Sequence, residues 1–217
     1  QGEGSYALSE AVRCRYEEKN PAKPLGGHTK KFPCHDAQGR RLKVKYGPET
    51  TEVYSEVAAA RLFWALGFYS ERMYSVKIVC ENCPADPWVS DAGPRGERVF
   101  EPATIQTKLE GTEIWLVDGE GWTFDKLDLV EEARGGASRA EVDALKLLSA
   151  FVNHGDNTAN QQRLLCLKDD PKCERPAMFV TDLGGTFGGK GFNTSLRNWS
   201  RKKFWKDAKA CVLDFQG

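Results

Sequence analysis

Arg41-Leu42-Lys43-Val44-Lys45-Tyr46 is the stretch on which the reading of this chain turns. Its side chains alternate as in a strand, with Leu42, Val44 and Tyr46 on one face and Arg41, Lys43 and Lys45 on the other. Asp36-Ala37-Gln38-Gly39 precedes it as a turn and Gly47-Pro48 closes it. Next comes Ser55-Glu56-Val57-Ala58-Ala59-Ala60-Arg61-Leu62. Val53, Val57, Ala60 and Trp64 recur at helical spacing, Thr50 or Thr51 can cap the start, and Gly67 stands where a left-handed C-terminal cap belongs. A lysine at the end of a strand is thus followed by a glutamate early on a helix.

Outward from this unit, Pro24-Leu25-Gly26-Gly27-His28-Thr29 is another turn, and residues 30–34 read as a strand. Residues 74–80 and 104–109 read as further strands, separated by a Pro-, Gly- and Asp-rich stretch, 81–98, that reads as a loop. Beyond a seam at 110–122 the pattern turns more helical. Ser138 and Glu141 form a capping box before Val142, Leu145, Leu148 and Val152, predicting a helix to about Asn153. Residues 163–168 and 178–181 pair as a hairpin around Asp169-Asp170-Pro171, and a glycine-rich stretch follows at 184–191. Residues 197–206 read as an amphipathic helix that packs Trp199 and Trp205 inward, with Ser195 or Ser200 as its cap. The expected class is α+β, a small β-rich lobe with one main helix (1–110) joined to a mostly helical lobe (111–217).

The 217 residues suit one large or two small units. Thirty-one Lys+Arg against thirty-one Asp+Glu give no net charge, which argues against a protein held to nucleic acid by a general basic field. No apolar run approaches the roughly 18 residues of a membrane span. The chain opens on Gln1-Gly2 rather than Met and closes after an amphipathic segment, so a processed or trimmed chain is the expectation.

Phosphoryl transfer needs a cation to hold phosphates, a carboxylate to position it, an aspartate beside the attacking hydroxyl, and oxygen ligands for Mg²⁺. Lys45, Glu56, His154-Gly155-Asp156-Asn157-Thr158-Ala159-Asn160-Gln161 and Thr181-Asp182-Leu183-Gly184 supply these in order along the chain. Here the chain resembles the protein-kinase-like superfamily, in particular HipA-type kinases, phosphatidylinositol 4-kinases and secretory-pathway protein kinases. His154-x-Asp156 with Gln161 five residues on has the spacing of a kinase catalytic loop, and Asp182-Leu183-Gly184 is similar to the metal-binding Asp-Phe-Gly. Gly26-Gly27-His28-Thr29-Lys30-Lys31-Phe32 resembles a short hairpin that covers a nucleotide.

The resemblance implies ATP with Mg²⁺ or Mn²⁺ as cofactors, and an acceptor it does not identify. It implies that Lys45 contacts phosphates, Glu56 pairs with Lys45, and Asp156 serves as base or orienter. Asp182 would bind the metal, with Gln161 or its neighbour Asn160 as a further ligand. Gly26, Gly27, Thr29, Lys30, Lys45 and Lys108 would line the nucleotide. Lys43 shares the strand face of Lys45 and is its rival in register. Thr158, where kinases keep a lysine, and Gln161 favour a nucleotide-binding pseudokinase or interaction module instead. Nucleotidyl transfer on the same fold is a third reading, and a cysteine-centred structural protein, with Lys45 and Glu56 far apart, a fourth.

Seven cysteines are too few for a disulfide scaffold yet more than most cytosolic proteins carry. Cys80-Glu81-Asn82-Cys83 and the pair Cys166 and Cys173 fit local disulfides, free thiols or, if the pairs meet, a zinc site. This usage points toward a periplasmic or secreted location without fixing one.

Overall fold

A computed structural model describes residues 5–22, 24–107, 109–116, 121–188 and 194–214. Within them the chain is a sheet-rich α+β structure with few helices. Strands β1 (Glu10–Tyr16), β2 (Lys31–Asp36), β3 (Arg41–Tyr46), β4 (Arg72–Cys83) and β5 (Gly96–Thr107) close into a barrel in the order β1-β2-β3-β5-β4. The closing contact, β1 with β4, is parallel, and the others are antiparallel. Closure gives each of these five strands a partner on both sides.

The alternation in residues 41–46 now has a cause. Leu42 and Val44 point into the barrel with Phe32, Ile78 and Ile105, all fully buried, and the Phe32 ring lies 5.0 Å from Phe100 and 5.5 Å from Tyr46. The opposite face of β3 would ordinarily meet water. Here helix α1 (Glu52–Ala65) crosses over it and closes off its last lysine.

The hydrophobic side of α1 belongs to a second core. Val57, Ala60 and Phe63 pack with Trp122, Leu127, Val142, Leu148, Val180 and Leu183, drawn from the second half of the chain. That half contains helix α2 (Arg139–Phe151), whose Ser138–Glu141 capping box forms as the sequence predicts. Strands β6 (Gly111–Ile114), β7 (Gln162–Leu167) and β8 (Ala177–Val180) make a sheet in the order β6-β7-β8, with β7 and β8 as the expected hairpin. Helix α3 (Leu196–Arg201) and a small pair, β9 (Trp205–Asp207) with β10 (Val212–Leu213), complete it.

Several expectations change. The second half is not mostly helical: one long and one short α-helix share it with strands, because β6 pairs with the 163–168 segment. The loop expected at 81–98 shrinks, since β4 runs to Cys83 and β5 starts at Gly96. The helix expected over 197–206 stops at Arg201. Trp199 packs against Phe151 and Phe187, whereas Trp205 stays 42% exposed. On α1 the buried stripe includes Phe63, and Trp64 lies at its edge, its indole N–H on the Ser70 carbonyl.

Six cysteines stand in three pairs at disulfide distance. These are Cys14–Cys34, Cys80–Cys83 and Cys166–Cys173, with Cα–Cα separations of 5.7, 5.8 and 4.9 Å. Each CxxC-type or hairpin pair closes on itself, so a four-thiolate zinc site does not assemble. Cys14–Cys34 links neighbouring barrel strands and was not legible from spacing. Three such pairs are compatible with an oxidising, extracellular location. Among the described residues no helix is long and apolar enough to cross a membrane.

Candidate functional site

Register places the first group. Lys31 on β2, Lys45 on β3 and Thr104 on β5 stand directly opposite one another, so their side chains share the outer face beneath α1. Lys45 is 1% exposed, and it is this lysine, not Lys43, that makes the contacts. Glu52 and Glu56 lie one turn apart on the same face of α1. Lys45 Nζ sits 2.7 Å from Glu52 Oε1 and 2.7 Å from Glu56 Oε2. The cysteine-centred reading, which needs Lys45 and Glu56 far apart, is thereby excluded.

Asp182 arrives from the other half. It follows β8 in a left-handed conformation (φ 52°, ψ 54°), which aspartate tolerates better than most residues. This turn carries its carboxylate to 3.6 Å from Lys45 Nζ. The next residues dock on α1, where Ser55 Oγ donates to the Gly184 carbonyl at 2.7 Å. A Cβ on Gly184 would fall 2.2 Å from Glu52 Cγ, so only glycine lets the turn approach this closely.

Burial by itself would push the Lys45 ammonium down, but the Glu56, Asp182 and Glu52 carboxylates together hold it above its ordinary value. Burial raises the Glu56 carboxyl despite Lys45, and Asp182 and Glu52 add to the rise. For Asp182 the order reverses: burial is outweighed by Lys45, Lys43 and Lys31, and its carboxyl stays low. Glu56 touches the ammonium, yet neither of its oxygens accepts a well-aligned hydrogen bond. Thr104 Oγ1 and Gln106 Oε1, on the strand face beside it, are also buried without hydrogen-bond partners among the described residues. One ammonium thus faces three carboxylates whose oxygens lie within 4.8 Å of one another. An oxygen-lined, negatively charged site with unsatisfied oxygens has the chemistry of a hard divalent cation site.

Over this cluster runs the end of the β1–β2 loop, residues 24–30. The Thr29 hydroxyl donates to Glu52, and Lys31 Nζ donates to the Gly26 carbonyl at 2.7 Å. Gly27 takes a left-handed φ of 81°, and both glycines are exposed. Lys30 points away, ion-paired at 2.9 Å with Glu49. Lys108, grouped with the nucleotide-lining residues by the resemblance, lies outside the described residues.

The 153–162 segment supplies the rest. Asp156 is half-buried. Burial raises its carboxyl, Asp182 and Glu52 add to the rise, and Lys45 opposes it. His154 is fully buried and driven down to about 4 by that burial, so it is neutral. Its Nε2 lies 3.4 Å from Gln162 Nε2. Asn160 is exposed and bonded to the Thr158 hydroxyl, and Gln161 enters through its backbone carbonyl, which accepts from Thr181. Lys45, Glu56 and Asp182 are therefore in contact, Thr29 joins them through Glu52, and Asn160 and Gln161 do not join the carboxylates by any side-chain bond among the described residues.

Sequence reading missed Glu52 and Lys31. Glu52 could have been found as the partner of Glu56 four residues on, and Lys31 by counting register outward from the Asp36-Ala37-Gln38-Gly39 turn, which sets it opposite Lys45. A separate groove of about 1500 Å³ lies between α1, α2 and the β7–β8 hairpin, lined by Leu62, Leu129, Leu148, Phe151 and Met178 among others; none of the cluster residues lines it.

No family model matches the chain, and no curated protein does. Among solved structures it is similar to that of a Helicobacter pylori proinflammatory kinase, CtkA, with 11% identity and a TM-score of 0.45 over 82% of this chain and 60% of that one. The chain thus spans less than two thirds of that protein's length.

Proposed function

We propose that this chain is an atypical phosphotransferase using ATP with Mg²⁺ or Mn²⁺, with residues 1–110 and 111–217 as the two lobes of a kinase-like domain. The observation that carries the reading is the contact of Lys45 with both Glu56 and Asp182, three residues far apart in the chain, beneath a glycine-containing loop. In this reading Lys45 holds the nucleotide's phosphates and Glu56 fixes Lys45. Gly26, Gly27 and Thr29 cover them from the loop.

The residues fit a divalent cation, because Glu52, Glu56 and Asp182 carry two negative charges more than Lys45 offsets and offer oxygens within 4.8 Å of one another. Asp182 and Glu52 would hold it, leaving Glu56 to Lys45. When bound, the ion neutralises charge on phosphoryl oxygens. Asp156, half-buried with a raised carboxyl, is suited to orient an acceptor hydroxyl and take its proton. The neutral His154, two residues earlier, is buried and suits a structural support rather than a proton carrier.

Thermal denaturation with a nucleotide panel, with and without Mg²⁺ or Mn²⁺, tests this. ATP is expected to raise the melting temperature in a metal-dependent way, and Asp182→Asn to remove the metal dependence while the protein still folds. No metal-dependent shift with any nucleotide would sink the reading. A nucleotide-binding module without turnover is favoured by one observation, that Asn160 is engaged at the surface by Thr158. ATP binding with no acceptor labelling would promote it, and the mass added to a labelled acceptor separates phosphoryl from nucleotidyl transfer.

A further inference from the structure

The loop over the cluster is pinned from below by a lysine that the reaction just described leaves unused. Lys31 is 7% exposed and stands directly opposite Lys45 across the β2–β3 ladder. Like charges directly opposite on one sheet face repel. Lys45 meets this by taking Glu52, Glu56 and Asp182 as contacts, whereas Lys31 forms no ion pair among the described residues. Its ammonium has one hydrogen bond there, to the neutral Gly26 carbonyl. Burial, then Lys45 and Lys43, push it down to about 8, with Glu52 and Asp182 pulling weakly the other way. A buried cation without a counter-ion is costly, and a close anion offsets that cost.

We propose that Lys31 is a second phosphate-contacting cation of this site, parked on the Gly26 carbonyl until a nucleotide's polyphosphate enters beneath the loop. The inference rests on the nucleotide reading above and adds to it the residue that senses phosphate number. A phosphate oxygen is a charged acceptor and binds an ammonium about twice as strongly as a carbonyl does. The exchange therefore favours phosphate, and it also screens Lys31 from Lys45. Freed from Lys31, the Gly26 carbonyl lets the glycine turn move. A Cβ built on Gly26 meets nothing within 4 Å, so there is room for that movement. Thr29 remains fixed to Glu52 and keeps the loop's base in place. One lysine thus couples loop position to the presence of a terminal phosphate.

Calorimetric titration of the wild type, Lys31→Met and Lys31→Arg with ATP, ADP and adenosine in excess Mg²⁺ tests this. Lys31→Met is expected to weaken ATP binding by about tenfold or more, the scale of one charged hydrogen bond, while adenosine stays within about twofold. Lys31→Arg, which keeps the charge, should retain most of the ATP affinity. Lys31→Gln keeps a donor for Gly26 without the charge and carries the same expectation as Lys31→Met, should the latter fail to fold. Wild-type ATP affinity in the uncharged variants, or equal losses for ATP and adenosine, would overturn the proposal and leave the nucleotide reading standing. A wild type that binds neither ATP nor ADP overturns that reading itself.

Discussion

Two charged regions of this molecule are built in opposite ways. Around Lys45 each group is carried by a regular element or a pinned turn: a strand for Lys45, a helix for Glu52 and Glu56, and for Asp182 a turn tied to that helix by Ser55. The groups touch before any ligand arrives. Along 153–162 the arrangement is reversed. The buried members, His154 and Gln162, are neutral, and Asp156 makes no side-chain hydrogen bond among the described residues. The first region is preorganised for binding, while the second holds its one charge ready for a partner. On the phosphotransferase reading proposed above, binding and turnover are then separable, and the measurements that follow can break that separation.

The largest effect on stability is expected at Lys45. Lys45→Met leaves three carboxylates crowded together without their cation, two of them buried. Removing one partner of a buried ion pair costs about 3–5 kcal/mol. Urea denaturation should show that loss, and Mg²⁺ should restore more stability to the variant than to the wild type. A variant as stable as the wild type, with no Mg²⁺ response, would mean that the cluster is not the charged centre described here.

The next effect tests the second region through pH. The buried His154 titrates near 4, against 6.5 for an ordinary histidine, so the unfolded chain takes up its proton first. Its contribution is fully present above pH 6.5 and is lost as pH falls through 4, a change of about 3 kcal/mol. Glu71 runs the other way. Burial lifts its carboxyl to about 7, so its folded form favours the proton and stability falls as pH rises from 4.5 toward that value. The wild-type profile mixes the two. Urea midpoints for wild type and His154→Gln, at neutral pH and at the acid end of the window, isolate the imidazole. The gap between the two proteins should shift toward the variant in acid, and a constant gap would show that His154 is not held neutral.

How much of this was legible follows the same division. Residues 41–46 and 52–65 announce themselves because period and capping are local, and the chain order of Lys45, Glu56, Asp156 and Asp182 was enough to bring three of them together. Glu52 was passed over because an acidic residue in a first helical turn usually faces water and the helix dipole, whereas here Lys45 lies beneath it. Lys30 ends the loop and pairs with Glu49, whereas Lys31 opens β2 opposite Lys45, so a one-residue choice decides which meets the site. Barrel closure by β1 was missed although Val12, Cys14 and Tyr16 alternate with Arg13 and Arg15, since a parallel contact with β4 leaves no turn to announce it. The helix expected at 197–206 ends early because Trp199 and Trp205 do not share a face, and among the described residues Trp199, not Trp205, has ring contacts.

The smallest effect on stability is expected at Asp156, and there the comparison is tested most directly. Its carboxyl is raised by burial and by Asp182 and Glu52, so its charge opposes folding slightly and an amide of the same shape removes that charge. Asp156→Asn should melt within about 0.5 kcal/mol of the wild type, or slightly above it. Nucleotide affinity, which the proposed reading assigns to the first region, should not change. Turnover should fall by about 10²–10⁴, the usual loss when a positioned base is removed. If the variant loses nucleotide binding as well, the two regions form one unit and the division fails. If it binds and still turns over at the wild-type rate, the proton goes elsewhere, and the 153–162 segment is a support for the cluster rather than its catalytic partner.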